Sequence, residues 1–277
     1  MNFSITDVLA VAQHESYSLG FSQTALSEKD TKVLEALQKA YPQNRIRFAR
    51  ETAVPGFYEV ILGEGVSYVF IDQETLNQLE NINSQNRDRY FRHWLFGGVF
   101  YDMQKQLDLT APLKTLALMI DVTKLPLKNA ITREKGDPQQ TLYVFTDPRC
   151  PFCKKLEETL ATLDNIRIHT FLTPLTSLHP DAKEVSARIW CAKDKAKAFE
   201  DVMIRGVELT TLVQCTTPIE ENEALMKELA IKGTPTLFFE NGERATGALS
   251  AQAIKEKLEA IAKIKKAVKD SVQENPS

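Results

Sequence analysis

The chain has 277 residues, 43% of them apolar and 26% charged, which is the composition of an ordinary folded protein with one large domain or two average ones. Its formal net charge of -3 offers no electrostatic footprint for nucleic acid, so no nucleic-acid partner is expected. No apolar run reaches the roughly 18–20 residues that a membrane-spanning helix needs.

Residues 1–32 read as an N-terminal extension, polar and weakly patterned over its first 26 positions. Leu9-Ala10-Val11-Ala12 is too brief for the apolar core of a signal peptide, and Asp7 stands where a positive charge is expected. Ser27, with Asp30 three residues on, is a candidate N-cap for a helix reaching about Tyr41, whose buried face is Val33, Leu34 and Leu37. Strand-like runs follow at 45–50, 57–63 and 67–72, with Gly63-Glu64-Gly65 as a turn. Residues 73–92, rich in Asn, Gln and Arg, read as an insertion forming a loop or short helix, and Trp94 to Tyr101 as another strand, its apolar run Trp94 to Phe100 buried. Leu113, Leu116, Leu118 and Ile120 suggest a helix, and 112–135 is expected to be a helical linker ending at Gly136-Asp137-Pro138. The module 33–111 has neither cysteine nor ionisable cluster, which points to an interaction domain rather than a second active site.

The pattern alternates cleanly from 136 to 277. A strand at 141–146 precedes a helix from about 151 to 163, and a second strand spans 166–172. A long helical segment at 183–203 carries Val185, Ile189, Phe199 and Met203 on one face, followed by a helix from Glu221 to Ala230. Strands Thr236 to Glu240 and Glu243 to Leu249 flank Asn241-Gly242, a strong hairpin signal. A last helix, from about 250 to 270, buries Ile254, Leu258, Ile261, Ile264 and Val268. The order β-α-β-α-β-β-α is that of the thioredoxin fold, and Thr234-Pro235 falls where that fold carries a cis-proline.

Cys150-Pro151-Phe152-Cys153 sits between the first strand and first helix of this region. Unpaired N–H groups and the dipole at a helix start stabilise a thiolate, the attacking species in disulfide exchange, so Cys150 is the expected nucleophile. Cys153, about one turn further in, can close an internal disulfide on the first sulfur. Pro151 suits the first helical turn, where its missing N–H has no intrahelical partner anyway. A CxxC is also half a zinc site, and Cys191 with Cys215 could complete four thiolates, although they lack the short spacing of a zinc ribbon. Left free, these two are a buried small hydrophobe and a spare thiol; joined, they close a loop of about 25 residues, worth roughly 3.5 kcal/mol, and imply an oxidising compartment. None of His14, His93, His169 and His179 falls in a catalytic pattern, and each reads as surface or packing.

Trp190-Cys191-Ala192-Lys193-Asp194-Lys195-Ala196-Lys197-Ala198-Phe199, Phe145-Thr146-Asp147 before the CxxC and Gly233-Thr234-Pro235 after it resemble the periplasmic thiol:disulfide isomerases of the DsbC/DsbG family. Val54 to Val60 and Gly97 to Asp102 look like that family's N-terminal dimerisation domain. The resemblance implies an α/β chain: a thioredoxin fold with a helical insertion, preceded by a small α+β dimerisation domain and a helical linker. It also implies Cys150 as nucleophile, Cys153 as resolving thiol, Thr234 and Pro235 at the substrate, and a structural Cys191–Cys215 disulfide. The compartment would be the periplasm, and no cofactor or metal is expected. The implied partners are a second copy of the chain, misfolded disulfide-containing proteins and a membrane reductase of the DsbD type. A thiol oxidase of the same fold and a dimeric chaperone are the alternatives. The Pro151-Phe152 dipeptide departs from the family's usual Gly-Tyr or Pro-Tyr, so the reduction potential does not carry over.

Overall fold

The computed structural model describes residues 26–210 and 215–274, with side chains described as far as 266. The signal-peptide reading and the extension up to residue 25 lie outside the described residues. The chain divides into two compact units, one ending at Met119 and one spanning Ile120–Lys266.

In the first unit Ser27 caps helix α1 (Glu28–Ala40) in a reciprocal capping box with Asp30. Strands β1 (Ile46–Glu51), β2 (Phe57–Leu62), β3 (Gly65–Phe70) and β4 (His93–Phe96) form an antiparallel sheet in that order. Val33 and Leu37 of α1 pack with Tyr58, Val60 and Val69 in one core; Phe48, Ile61 and Tyr68 form another with Leu113 and Leu116 of the helix Ala111–Leu118. The stretch 73–92 carries short helices and contributes to the core. Between the short helices α2 (Gln73–Leu76) and α3 (Arg87–Tyr90) it delivers Leu79 and Ile82, and Phe91 after α3, into the α1 core. Trp94 to Phe100, expected as a buried strand, is a strand only as far as Phe96 and is largely exposed. Only β3 pairs with β4 among the described residues, and Leu95 and Phe96 are 56% and 69% exposed. A run at the sheet's edge lacks the second neighbour that would cover it. Beyond it lie the two-residue strands β5 (Tyr101–Asp102) and β6 (Leu107–Asp108), then α4, Ala111–Leu118.

The expected linker, 112–135, is α-helical only through α4; it then passes through two 3₁₀ turns to strand β7 (Ile131–Lys135). The sequence pattern hides β7 because its exposure alternates only weakly around a single buried apolar residue, Ile131. In the second unit β7 edges a five-stranded sheet ordered β11-β10-β8-β9-β7, comprising β8 (Gln140–Thr146), β9 (Ile166–Leu172), β10 (Thr236–Phe239) and β11 (Arg244–Thr246). β8 and β9 run parallel, and the other pairs are antiparallel. Helix α5 (Pro151–Leu160) makes the crossover, packing Leu156 and Leu160 on Leu142, Val144 and Ile168. The long helix expected at 183–203 is two, α6 (Ala182–Cys191) and α7 (Lys195–Met203), because Ala192 is extended and Asp194 caps α7 by accepting from the Lys197 N–H at 2.9 Å. Helices α8 (Ile219–Glu228) and α9 (Ala251–Glu274) follow, with Ile254, Leu258 and Ile261 of α9 in the core.

Candidate active site

Strand β8 ends at Thr146, and the chain turns through Asp147-Pro148-Arg149 to Cys150, the N-cap of α5. The turn closes with the Cys150 N–H donating to the Asp147 carbonyl at 3.1 Å. Asp147 is fully buried and its carboxyl accepts from the Arg149 N–H at 2.7 Å, the Leu175 N–H at 2.8 Å and the His179 imidazole Nδ1 at 2.9 Å. One side chain thus locks the active-site turn to the segment after β9. His179, read from the sequence as a surface or packing residue, is part of that lock. Arg149 is clamped by Asp181 at 2.7 Å and, through two parallel bonds, by Glu208 at 2.6 and 2.9 Å. The two carboxylates hold the guanidinium pKa above its already high ordinary value, and Arg149 in turn lowers that of Glu208.

Cys150 is 6% exposed and Cys153 is fully buried, and neither is in a disulfide. The Cys150 thiol points at the Thr234 carbonyl, Sγ to O 3.6 Å, and the Thr234-Pro235 bond is cis. The structure therefore brings Cys150 and Thr234-Pro235 together although they are distant in sequence. Pro151 occupies the first position of α5, and Phe152 projects into solvent, 63% exposed. Cys153 receives the Asp147 N–H on its sulfur at 3.4 Å. Burial pushes the Cys153 thiol up to about 12, opposed by the Asp147 N–H and by the hydroxyls of Thr146 and Thr234. The pair is asymmetric: Cys150, at the N-cap, keeps a small exposed area, whereas Cys153 is fully enclosed.

Cys191 and Cys215 are joined by a disulfide, Cα to Cα 5.7 Å. That bond removes the two thiols a four-thiolate zinc site needs, and among the described residues no group of His, Cys, Asp or Glu is arranged to hold a metal. One turn of α5 beyond Cys153, Glu157 is buried and paired with Arg133 of β7, Oε2 to Nη2 2.8 Å. Burial raises the Glu157 pKa against the pull of Arg133. Sequence reasoning missed Asp147, Arg149, His179 and this ion pair. Two signals were there to be noticed: Asp147, quoted only as part of Phe145-Thr146-Asp147, and Glu157 on the apolar face of α5 beside Cys153 and Leu156.

Comparison with known proteins adds a family context to this geometry. Residues 127–262 match the model of a thioredoxin-like domain. A probable thiol:disulfide interchange protein DsbC of Bordetella parapertussis is 37% identical over 60% of this chain, and the match spans 58% of that protein's length. The thiol:disulfide interchange protein DsbC of Escherichia coli is 27% identical over 74% of this chain and 78% of its own. A crystal structure of a disulfide interchange protein from Neisseria gonorrhoeae is 33% identical, with a TM-score of 0.48, covering 49% of this chain and 97% of that one.

Proposed function

The chain belongs to the DsbC-type thiol:disulfide interchange proteins, and from that premise we propose that it is a disulfide isomerase working through Cys150. In this reading the Cys150 thiolate attacks a non-native disulfide, forming a mixed disulfide and releasing one substrate thiolate. A different substrate thiol then displaces Cys150 and leaves a rearranged pairing. If none arrives, Cys153 displaces the substrate, which departs reduced. The observation that carries the reading is the reach of Cys150 Sγ to the Thr234 carbonyl at 3.6 Å, with Cys153 sealed beneath. Backbone at Thr234 is then available to pair with an extended substrate segment, as in strand addition. The exposed Phe152 supplies apolar contact that does not depend on sequence.

The Cys191–Cys215 disulfide supports an oxidising compartment, taken as the periplasm. An isomerase needs Cys150 reduced at rest, so a membrane dithiol reductase of the DsbD type is the proposed electron donor. The open edge of β4, with Leu95, Phe96 and nearby Val99 exposed, supports a homodimer through the first unit. Recovery of scrambled ribonuclease tests the central reading: the wild type restores activity and Cys150→Ala does not. Retained recovery in Cys150→Ala rejects the isomerase. A resting pair found oxidised in the periplasm points to a thiol oxidase, and holding of unfolded protein without exchange points to a chaperone.

A further inference from the structure

Two hydroxyls at the site have no hydrogen-bond partner. Thr146, the last residue of β8, is 1% exposed and its Oγ1 is completely enclosed without one; Thr234 Oγ1 is enclosed in the same way. Buried hydroxyls are normally satisfied, and a valine would fill the Thr146 position with the same shape. Thr146 directly precedes Asp147, whose N–H points at the Cys153 sulfur at 3.4 Å, and both hydroxyls favour the charged form of that group. A neutral thiol is a weak acceptor, which is why the hydroxyls are unpaired around the dithiol. A thiolate is a strong acceptor, and a hydroxyl rotates to meet it.

We propose that Thr146, together with the Asp147 N–H, forms a thiolate hole that stabilises Cys153 whenever that sulfur carries charge during exchange. The inference rests on the redox reading of the Cys150–Cys153 pair. When a reductant thiolate attacks Cys150 of the internal disulfide, a bond forms between the reductant sulfur and Cys150. The Cys150–Cys153 bond breaks and its electron pair stays on Cys153. The second thiol of a dithiol reductant then displaces Cys150, so two electrons pass to the protein and the reductant leaves as a disulfide. Cys153 afterwards takes a proton from water and rests as a thiol, consistent with the burial that pushes it up to about 12. The hole therefore acts on the barrier in both directions, because the same charge appears when Cys153 resolves a mixed disulfide.

The kinetics of Thr146→Val test this. Loss of one donor to the developing thiolate slows reduction of the internal disulfide by dithiothreitol roughly tenfold. Cys153-dependent release of a glutathione mixed disulfide slows by a similar factor. The equilibrium constant with glutathione moves by less than about twofold, under about 10 mV for this two-electron couple. Thr146→Ser keeps the hydroxyl and retains the wild-type rates. An unchanged rate in Thr146→Val, or an equal loss in Thr146→Ser, overturns the assignment. Should Thr146→Val not fold, as judged by Trp190 fluorescence in a Trp94→Phe background, Thr146→Ala against Thr146→Ser reads the same difference. A wild-type pair that neither oxidises nor is reduced by dithiothreitol defeats the redox reading itself, a result distinct from failure of the hole.

Discussion

Removing the Arg133 side chain strands a charge directly under the active-site helix. Arg133 and Glu157 approach to 2.8 Å with side-chain exposures of 12% and 1%, and no well-formed hydrogen bond reaches either Glu157 oxygen. At that distance, with an effective dielectric of about 20, the attraction is about 6 kcal/mol, offset by several kcal/mol of desolvation for each ion. The intact pair is therefore close to neutral, but half of it is costly. Arg133→Met is predicted to destabilise the second unit by about 3–5 kcal/mol at pH 8. Burial already raises the Glu157 pKa, so the folded state holds that proton to higher pH than the unfolded chain does. The resulting stability is complete below the ordinary carboxyl range and is lost as pH rises through the folded value. Without Arg133 the folded value climbs further, so the cost of Arg133→Met shrinks as pH falls from 8 towards 5. The double variant Arg133→Met with Glu157→Leu returns to within about 2 kcal/mol of wild type, because no unpaired charge is left. Urea unfolding read by Trp190 fluorescence in a Trp94→Phe background measures all three. A cost below about 1 kcal/mol at pH 8, or one independent of pH, would falsify the argument.

Gly242 has φ +85°, and a Cβ there would lie 1.9 Å from the Ile120 carbonyl oxygen, so Gly242→Ala should cost about 2–5 kcal/mol by thermal unfolding. Gly247→Ala, at the same φ but facing open space, should lose only the conformational part, about 1–2 kcal/mol; equal losses would show that the contact is irrelevant. Replacing Cys191 and Cys215 together with Ala should lower stability by about 3 kcal/mol in denaturant titration, and a difference under about 1 kcal/mol would mean that the bridge constrains little. Iodoacetamide on the reduced, folded protein at pH 8 should place one label per chain, on Cys150, because Cys153 is fully buried and pushed up to about 12. Mass spectrometry showing both thiols labelled at similar rates contradicts the inner and outer assignment.

The second unit was legible where periodicity and punctuation agree. Strand 141–146, the Asn241-Gly242 hairpin and the apolar stripe of α9 each combine a clear period with a turn or cap. Legibility failed where tertiary contact decides. β7 carries Arg133, Glu134 and Lys135 in a five-residue strand and joins the sheet through its backbone ladder with β9, which no side-chain pattern announces. The reading of 183–203 as one helix gave weight to its apolar spacing and none to Asp194, whose side chain caps a new start. Trp94 to Phe96 misled in the other direction, since an apolar run signals burial without saying whether a single chain provides it. At the site, the cysteines and Thr234-Pro235 stand out locally. Asp147, His179 and Arg149 act through partners about 30 to 60 positions away, a coupling visible only after folding.

A covalent intermediate trapped on Cys150 would be the sharpest evidence for its role. Cys153→Ala removes the resolving thiol while leaving the outer sulfur in place, so incubation with scrambled ribonuclease should accumulate a mixed disulfide at Cys150. That adduct should be visible by non-reducing electrophoresis, dissolve in dithiothreitol and map to Cys150 by peptide mass. Absence of the adduct, or an adduct that persists when Cys150 is also replaced by Ala, contradicts the assignment of Cys150 as the attacking sulfur.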